Sequence, residues 1–132
     1  LKPGFMKHNG GLLFRTISED EYEFKTIINK NHLNKAGITH GGFICSIIDA
    51  GSGTAAHRSS KNFPCVTISL DVKFIGPTKE KDEIIGLVKI LRKTKSMIFL
   101  NCQLMSKNNI IANASGVWKM LKTNQPNFGP GG

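Results

Sequence analysis

The sequence predicts an α+β domain in which one long helix is covered by a curved antiparallel sheet of about five to six strands. Residues 41–57 repeat apolar side chains at steps of three and four, which is typical of a helix. Segments before and after them alternate apolar and polar residues, which is typical of strands. At 132 residues the chain can bury one hydrophobic core but not two, so we expect a single domain over residues 1–132.

The first two strands are expected before the helix. The segment "YEFKTIIN" alternates Tyr22, Phe24, Thr26 and Ile28, and we expect it to pair with "GLLFRTI" just before it. The ordered core is therefore predicted to begin near residue 9.

The helix is predicted from Gly41 to about His57, with an apolar stripe of about four turns. Asp49 lies inside this apolar segment, where a charge costs several kcal/mol unless it is compensated. It shares a helix face with small residues: Cys45, Ser46, Ser52, Gly53 and Ala56. Such a face indicates close approach by a substrate or by another helix. A purely structural role stays open, with the carboxylate satisfied by a lysine or by backbone groups.

Four more strands are expected after the helix. The first is predicted to place five apolar residues on one face: Val66, Ile68, Leu70, Val72 and Phe74. Thr67 and Ser69 would begin the opposite face. The segments "IIGLVKIL", "SMIFLNCQLM" and "NIIANASGVWKML" follow a loop and are joined by short polar turns that suit antiparallel hairpins. The core is expected to end near residue 121, and the tail at 122–132 to be frayed.

Composition narrows the class of protein. No apolar run approaches the roughly 18 residues that span a bilayer, and the N-terminus does not resemble a signal peptide, so we expect a cytoplasmic protein. The three cysteines are odd in number and widely spaced, which fits reduced thiols. The four histidines show no metal-ligand spacing, so no metal site is expected.

The formal net charge of +9 attracts anionic partners. The basic residues are scattered, however, and the sequence has no zinc-finger spacing, RNP-like strand or obvious recognition helix. We therefore do not expect a nucleic-acid-binding protein. A membrane surface and a phosphorylated small molecule stay open as anionic partners.

The segment "NKAGITHGGFICSIIDAGSGTA" carries the most specific motif of the chain. The motif consists of an asparagine, a glycine, a His-Gly-Gly triplet and an aspartate: Asn34, Gly37, His40, Gly41, Gly42 and Asp49. It resembles the active-site segment of hotdog-fold thioesterases, in the group that includes the phenylacetate-pathway thioesterase and the human thioesterase superfamily member enzymes. The segments "VTISLDVKFIGP" and "IIANASGVWK" are similar to strands of that family. The resemblance covers most of residues 9–121.

The resemblance implies an acyl-CoA thioesterase that releases a free acid and coenzyme A and needs no cofactor. It implies that Asp49 is the general base or nucleophile, that Asn34 positions the carboxylate or the attacking water, and that Thr67 holds that water. It also implies that His40 lies near the thioester sulfur. Structural roles stay open for three of these residues, because Asn34 suits a turn, Thr67 suits a strand and His40 suits a helix cap.

Thioester hydrolysis also needs a donor to the carbonyl oxygen as that oxygen gains charge. Gly41 lies where the helix begins, and the first N–H groups of a helix have no partner inside it. Gly41 and Gly42 allow a substrate close to the backbone, or they simply permit a sharp turn into the helix. Basic residues just after the helix or in a hairpin turn are candidates to bind the phosphates of coenzyme A: Arg58, Lys61, Arg92, Lys93 and Lys95.

Helix geometry predicts the quaternary structure. Gly41 and Asp49 are separated by about 12 Å along a helix axis, so one thioester cannot reach both in one chain. We therefore expect an obligate homodimer with antiparallel helices and two shared sites, in agreement with what the resemblance implies, and such dimers are expected to pair into a tetramer. A non-catalytic acyl-CoA sensor or carrier is the alternative function on this fold, but it would not need Asp49.

Overall fold

The computed structural model describes residues 2–121. In chain order the elements are α1 (Phe5–His8), β1 (Leu13–Thr16), β2 (Glu21–Ile27), a 3-10 turn (Lys30–His32), α2 (Gly41–Ser59), β3 (Cys65–Phe74), β4 (Glu83–Lys93), β5 (Met97–Ser106) and β6 (Asn109–Met120). The strands form one antiparallel sheet in the order β1-β2-β4-β5-β6-β3, with β1 and β3 at its edges. The predicted α+β architecture is confirmed. The tail at 122–132 lies outside the described residues.

The core lies between α2 and the sheet. The bulky part of the predicted helix stripe is buried there: Phe43, Ile44, Ile47 and Ile48. Opposite it, Trp118 of β6 and Phe24 of β2 are the largest fully buried side chains. The short helix α1 was not predicted, because four residues are too few to show a period of 3.6. Within residues 2–121, no helix is both long and apolar enough to cross a membrane.

Phe24 is enclosed between two glycines, one on the helix and one on the sheet. A Cβ atom added to Gly51 of α2 would collide with the Phe24 ring, and so would a Cβ atom added to Gly86 of β4. The ring therefore fills the space that both glycines leave. This contact holds α2 close to β2 and β4.

Strand β3 departs from the predicted alternation of faces. Its register with β6 shifts between Thr67 and Ser69, so Ile68 has no opposite residue there. Thr67 lies opposite the buried Trp118 and therefore faces α2. The prediction that Val66 and Ile68 share a face with Leu70, with Thr67 on the opposite face, was wrong, because one extra residue in a bulge reverses the alternation. Ile68 is instead 53% exposed.

Candidate active site

Asp49 and Thr67 form a hydrogen-bonded pair. The Oγ1 hydroxyl of Thr67 donates to Oδ1 of Asp49 at 2.7 Å, which the bulge in β3 makes possible by turning Thr67 toward α2. Asp49 is exposed in the single chain, so its carboxylate stays in contact with water and avoids the desolvation cost expected from the sequence. Because Thr67 has one hydroxyl proton and uses it here, only its lone pairs remain to accept from a water molecule.

His40 is the N-cap of α2. Its Nδ1 accepts from the N–H of Gly42 at 2.8 Å. A Cβ atom on Gly42 would lie 2.9 Å from that nitrogen, so any other residue there would push the imidazole out of this cap position. Within residues 2–121, the N–H of Gly41 has no acceptor. Gly41, and not Gly42, therefore offers a backbone donor to a ligand at this end of the helix.

Asn34 organises the turn that leads to His40. Its Oδ1 accepts from the N–H of Ala36 at 2.9 Å and from the N–H of Ile38 at 3.3 Å. Gly37 in this turn has a φ of +81°, a conformation that favours glycine. The turn role that the sequence left open for Asn34 is therefore real. Its Nδ2 group has no acceptor in the described part of the chain, so it can still donate to a ligand or to a carboxylate of another chain.

The candidate catalytic residues thus form two groups on the same helix. Asp49 and Thr67 lie beside the middle of α2, whereas Asn34, His40 and Gly41 lie at its N-terminus. Eight residues of helix separate Gly41 from Asp49, a rise of about 12 Å. The single chain therefore does not bring the two groups around one thioester.

The basic candidates lie at the opposite end of α2. Arg58 lies over the ring of Phe14, 4.6 Å from its centroid, and donates to Oγ1 of Thr16 at 3.1 Å. Lys93 Nζ donates to the carbonyl of Ser59, at the C-terminus of α2, at 2.8 Å. Both side chains therefore have structural partners that the sequence did not predict. All five candidates are exposed, and within residues 2–121 the side chains of the other three make no hydrogen bond or ion pair: Lys61, Arg92 and Lys95.

Two aromatic rings at the N-terminus of α2 were not predicted as part of the site. The Phe74 ring lies 3.4 Å from the position that a Cβ atom on Gly41 would take, and Phe74 is 59% exposed. The imidazole of His32 stacks on Phe43, with centroids 3.7 Å apart. The sequence placed Phe74 on one strand face with Val72, and only the path of β3 past the helix shows that its ring lies beside Gly41.

The Cys102 and Cys65 thiols are not activated as nucleophiles. Cys102 is buried, and burial raises the pKa of its thiol to about 12. Burial also raises the pKa of the Cys65 thiol. Cys45 has a neighbour in Ser46, but that hydroxyl donates to the backbone carbonyl of Gly42 at 2.8 Å. Among residues 2–121, no group of three or more His, Cys, Asp or Glu side chains could hold a metal ion.

The fold and this arrangement of residues define a class, which comparison with known proteins makes explicit. A family model described as the thioesterase superfamily matches residues 36–112. The chain belongs to the thioesterase superfamily. Acyl-coenzyme A thioesterase 13 of Mus musculus is 28% identical over 80 residues, which are 61% of this chain and 57% of the mouse protein. The match thus spans little more than half of that relative.

Solved structures share the fold at low sequence identity. The zebrafish thioesterase superfamily member 2 superposes with a TM-score of 0.82 at 19% identity, covering 91% of this chain and 88% of that protein. The E. coli PaaI protein from the phenylacetic acid degradation operon superposes with a TM-score of 0.79 at 16% identity, covering 88% and 83%. The hotdog fold expected from the sequence is therefore confirmed.

Proposed function

We propose that this protein is an acyl-CoA thioesterase that hydrolyses an acyl-CoA to a free acid and coenzyme A. The observation that carries the proposal is the exposed Asp49 carboxylate, oriented by Thr67 on the helix that also offers the Gly41 N–H. Membership of the thioesterase superfamily supports the reaction type. The proposed reaction uses water and the thioester, with coenzyme A as part of the substrate and no separate cofactor.

The proposed mechanism assigns one task to each group. The Gly41 N–H donates to the carbonyl oxygen as it becomes an oxyanion. Asp49 takes a proton from the water that attacks the carbonyl carbon, the C–S bond breaks, and the proton passes to the departing sulfur. Direct attack by Asp49 would instead give an acyl-enzyme anhydride that water then hydrolyses to the same products. The Nδ2 of Asn34 would orient the carboxylate or the water.

His40 has a defined place in this mechanism. Because its Nδ1 accepts from Gly42, a neutral His40 carries its proton on Nε2. We propose that Nε2–H faces the thioester sulfur and steadies the leaving group. Gly42 contributes by permitting the cap and close approach of the substrate, not by donating its own N–H.

We propose that the active unit is a homodimer in which Asp49 and Thr67 of the partner subunit face Gly41. Four large apolar residues are exposed on edge strand β3 and just after it: Val66, Ile68, Phe74 and Ile75. A free sheet edge with exposed apolar side chains is a ready site for pairing with a second chain. The small residues beside Asp49 allow two helices to approach closely. We also propose that two such dimers form a tetramer.

The antiparallel arrangement gives the basic residues a defined location. If Asp49 of the partner subunit lies beside Gly41, Arg58 of the partner subunit lies about 13 Å beyond Gly41 along the axis. That is the side on which the nucleotide of coenzyme A would extend away from the thioester. We propose that the basic residues whose side chains have no structural partner within residues 2–121 bind its phosphates: Lys61, Arg92 and Lys95, with Arg58 and Lys93 adding to the positive field.

Direct assay of hydrolysis tests the proposed function. Purified protein would be incubated with a panel of aliphatic and aromatic acyl-CoAs, and thioester loss followed by its ultraviolet absorbance, because thiol reagents would also modify Cys45. We expect turnover of at least one class of acyl group. An Asp49→Asn preparation made in parallel reports any contaminating esterase. Binding of acyl-CoA without turnover would indicate a sensor or carrier. The absence of both binding and turnover would refute the assignment.

Thr67 provides a narrower prediction. Thr67→Ser keeps the hydroxyl that donates to Asp49 and should retain most of the activity. Thr67→Val has nearly the same shape but no donor, and kcat should fall about tenfold or more, as is usual when a positioning contact is lost. Steady-state kinetics of both variants would show whether the Thr67 hydroxyl contributes to kcat. Equal kcat values for the Val and Ser variants would remove Thr67 from the mechanism.

A further inference from the structure

A buried imidazole lies next to the N-terminus of α2 and has no task in the proposed mechanism. His32 is 2% exposed, and its ring stacks almost parallel on Phe43, at an interplanar angle of 11°. Phe43 lies in the first turn of α2, two residues after Gly41. The His32 ring is therefore packed directly against the turn that presents the Gly41 N–H.

Both ring nitrogens of His32 are bonded to backbone groups, and these bonds define its tautomer. Nδ1 accepts from the N–H of Asn29 at 3.0 Å, closing a capping box on the 3-10 turn. Nε2 lies 2.7 Å from the carbonyl oxygen of Asn9. A backbone N–H can only donate and a carbonyl can only accept, so Nδ1 is unprotonated and Nε2 carries the proton. The ring thus ties the N-terminal segment that ends at Asn9 to the 3-10 turn.

The backbone of His32 continues this connection to the site. Its carbonyl oxygen accepts from the N–H of His40 at 2.8 Å. His40 in turn caps the helix through Gly42, and its carbonyl accepts from the N–H of Phe43 at 3.0 Å. Movement of the His32 ring would disturb the first turn of α2 through Phe43, and a displacement of the His32 backbone would also move His40. The direction of the Gly41 N–H depends on both.

We propose that His32 is a positioning residue for the oxyanion donor and for His40. Its two side-chain hydrogen bonds hold the ring, the ring holds Phe43, and its carbonyl holds His40. The catalytic part of this inference rests on the proposed thioesterase function. It predicts that loss of the His32 contacts lowers the rate of the chemical step more than it weakens substrate binding.

The chain offers variants that separate these contacts. His32→Phe keeps a ring against Phe43 but loses both hydrogen bonds, whereas His32→Asn keeps an acceptor near the position of Nδ1. His57→Phe is the matched control, because His57 Nδ1 also bonds a backbone carbonyl, that of Phe63 at 2.9 Å, at the other end of α2. We expect kcat of His32→Phe to fall roughly tenfold to a hundredfold with little change in KM.

The other two variants also have expected kcat values. His32→Asn keeps one acceptor but loses the ring against Phe43 and the Nε2 contact, so its kcat should fall at least as far as that of His32→Phe, whereas His57→Phe should keep the wild-type kcat. All measurements would be made on folded protein well below the melting temperature of each variant, so that lost stability does not count as lost turnover. A kcat for His32→Phe equal to that of His57→Phe would overturn the inference.

A second readout does not depend on activity. Nitrogen-15 NMR of the wild type should show His32 protonated at Nε2 and unprotonated at Nδ1. The amide resonances of His40, Gly41 and Gly42 should shift in His32→Phe and stay in place in His57→Phe. Unchanged amides in His32→Phe would overturn the inference even if activity fell. If the wild type hydrolysed no acyl-CoA, the proposed function would fail, while these spectra would still decide the positioning role.

Discussion

Asp49→Asn should lower kcat by at least about a hundredfold, the lower end for loss of a positioned acid–base group, while the protein stays folded. Asparagine has nearly the same shape, and its side-chain oxygen can still accept from the Thr67 hydroxyl. It can neither take a proton from water nor attack the thioester. The measurement is kcat on the best acyl-CoA, with circular dichroism and thermal denaturation to establish folding.

The matched control is Asp20→Asn, which removes the same charge from an exposed turn between β1 and β2. Its kcat should stay close to the wild-type value, because Asp20 is exposed and has no role in the proposed mechanism. Near-normal turnover by Asp49→Asn would show that Asp49 is structural and that the proposed mechanism is wrong.

Gly86→Ala should destabilise the protein by about 1–3 kcal/mol, the range for overpacking a filled core. The added methyl group would overlap the Phe24 ring, which cannot retreat because Gly51 closes the other side. Without this collision, replacing a strand glycine by alanine would stabilise the fold by about 0.5–1 kcal/mol. The sign of the change in the free energy of unfolding therefore shows whether the collision occurs. Urea denaturation of the variant and the wild type would give the difference in free energy of unfolding.

A double variant identifies the cause of that loss. Phe24→Leu removes the ring, so adding Gly86→Ala to Phe24→Leu should cost much less than adding it to the wild type. Wild-type stability of Gly86→Ala would mean that Phe24 does not fill the space beside Gly86.

Much of the fold follows from periodicity. The helix beginning at Gly41 and the strands after it carry apolar residues at steps that only one type of element satisfies. The bulge in β3 could not be predicted in this way. Val66 and Ile68 are apolar and continue the alternation of Leu70 and Val72, and the extra residue becomes visible only when Thr67 is paired with β6.

The candidate site likewise has residues that the sequence motif identified and a contact that it could not predict. Asn34, His40, Gly41 and Asp49 were selected by spacing along one segment, and the structure gives Asn34 and His40 local turn and cap contacts as well. The partner of Asp49 could not come from spacing, because Thr67 is 18 residues away and faces the helix only through the bulge.

For the basic residues, the sequence did not predict which side chains have structural partners. Arg58 and Lys93 were chosen for their charge and their positions after the helix or near a turn. Their structural contacts, with Phe14 and with the Ser59 carbonyl, join elements far apart in the chain. Charge and local position carry no information about such tertiary partners, so the sequence could not distinguish these two residues from Lys61, Arg92 and Lys95.

The central claim is that each active site takes Gly41 from one subunit and Asp49 from the other. Two variants disable opposite halves of such a site. Asn34→Asp keeps the oxygen that holds the turn but loses the Nδ2 donor, and Asp49→Asn loses the base. Each variant alone should have little activity. In a mixed dimer, one of the two sites would combine an intact Asn34 with an intact Asp49.

The decisive measurement is the activity of the two variants co-expressed or refolded together. Random pairing makes about half of the dimers mixed, each with one restored site, so activity should recover to about a quarter of the wild-type value. Native mass spectrometry would establish that mixed dimers have formed. Recovery to that level supports the shared site, whereas no recovery in confirmed mixed dimers would show that each active site is built within a single chain.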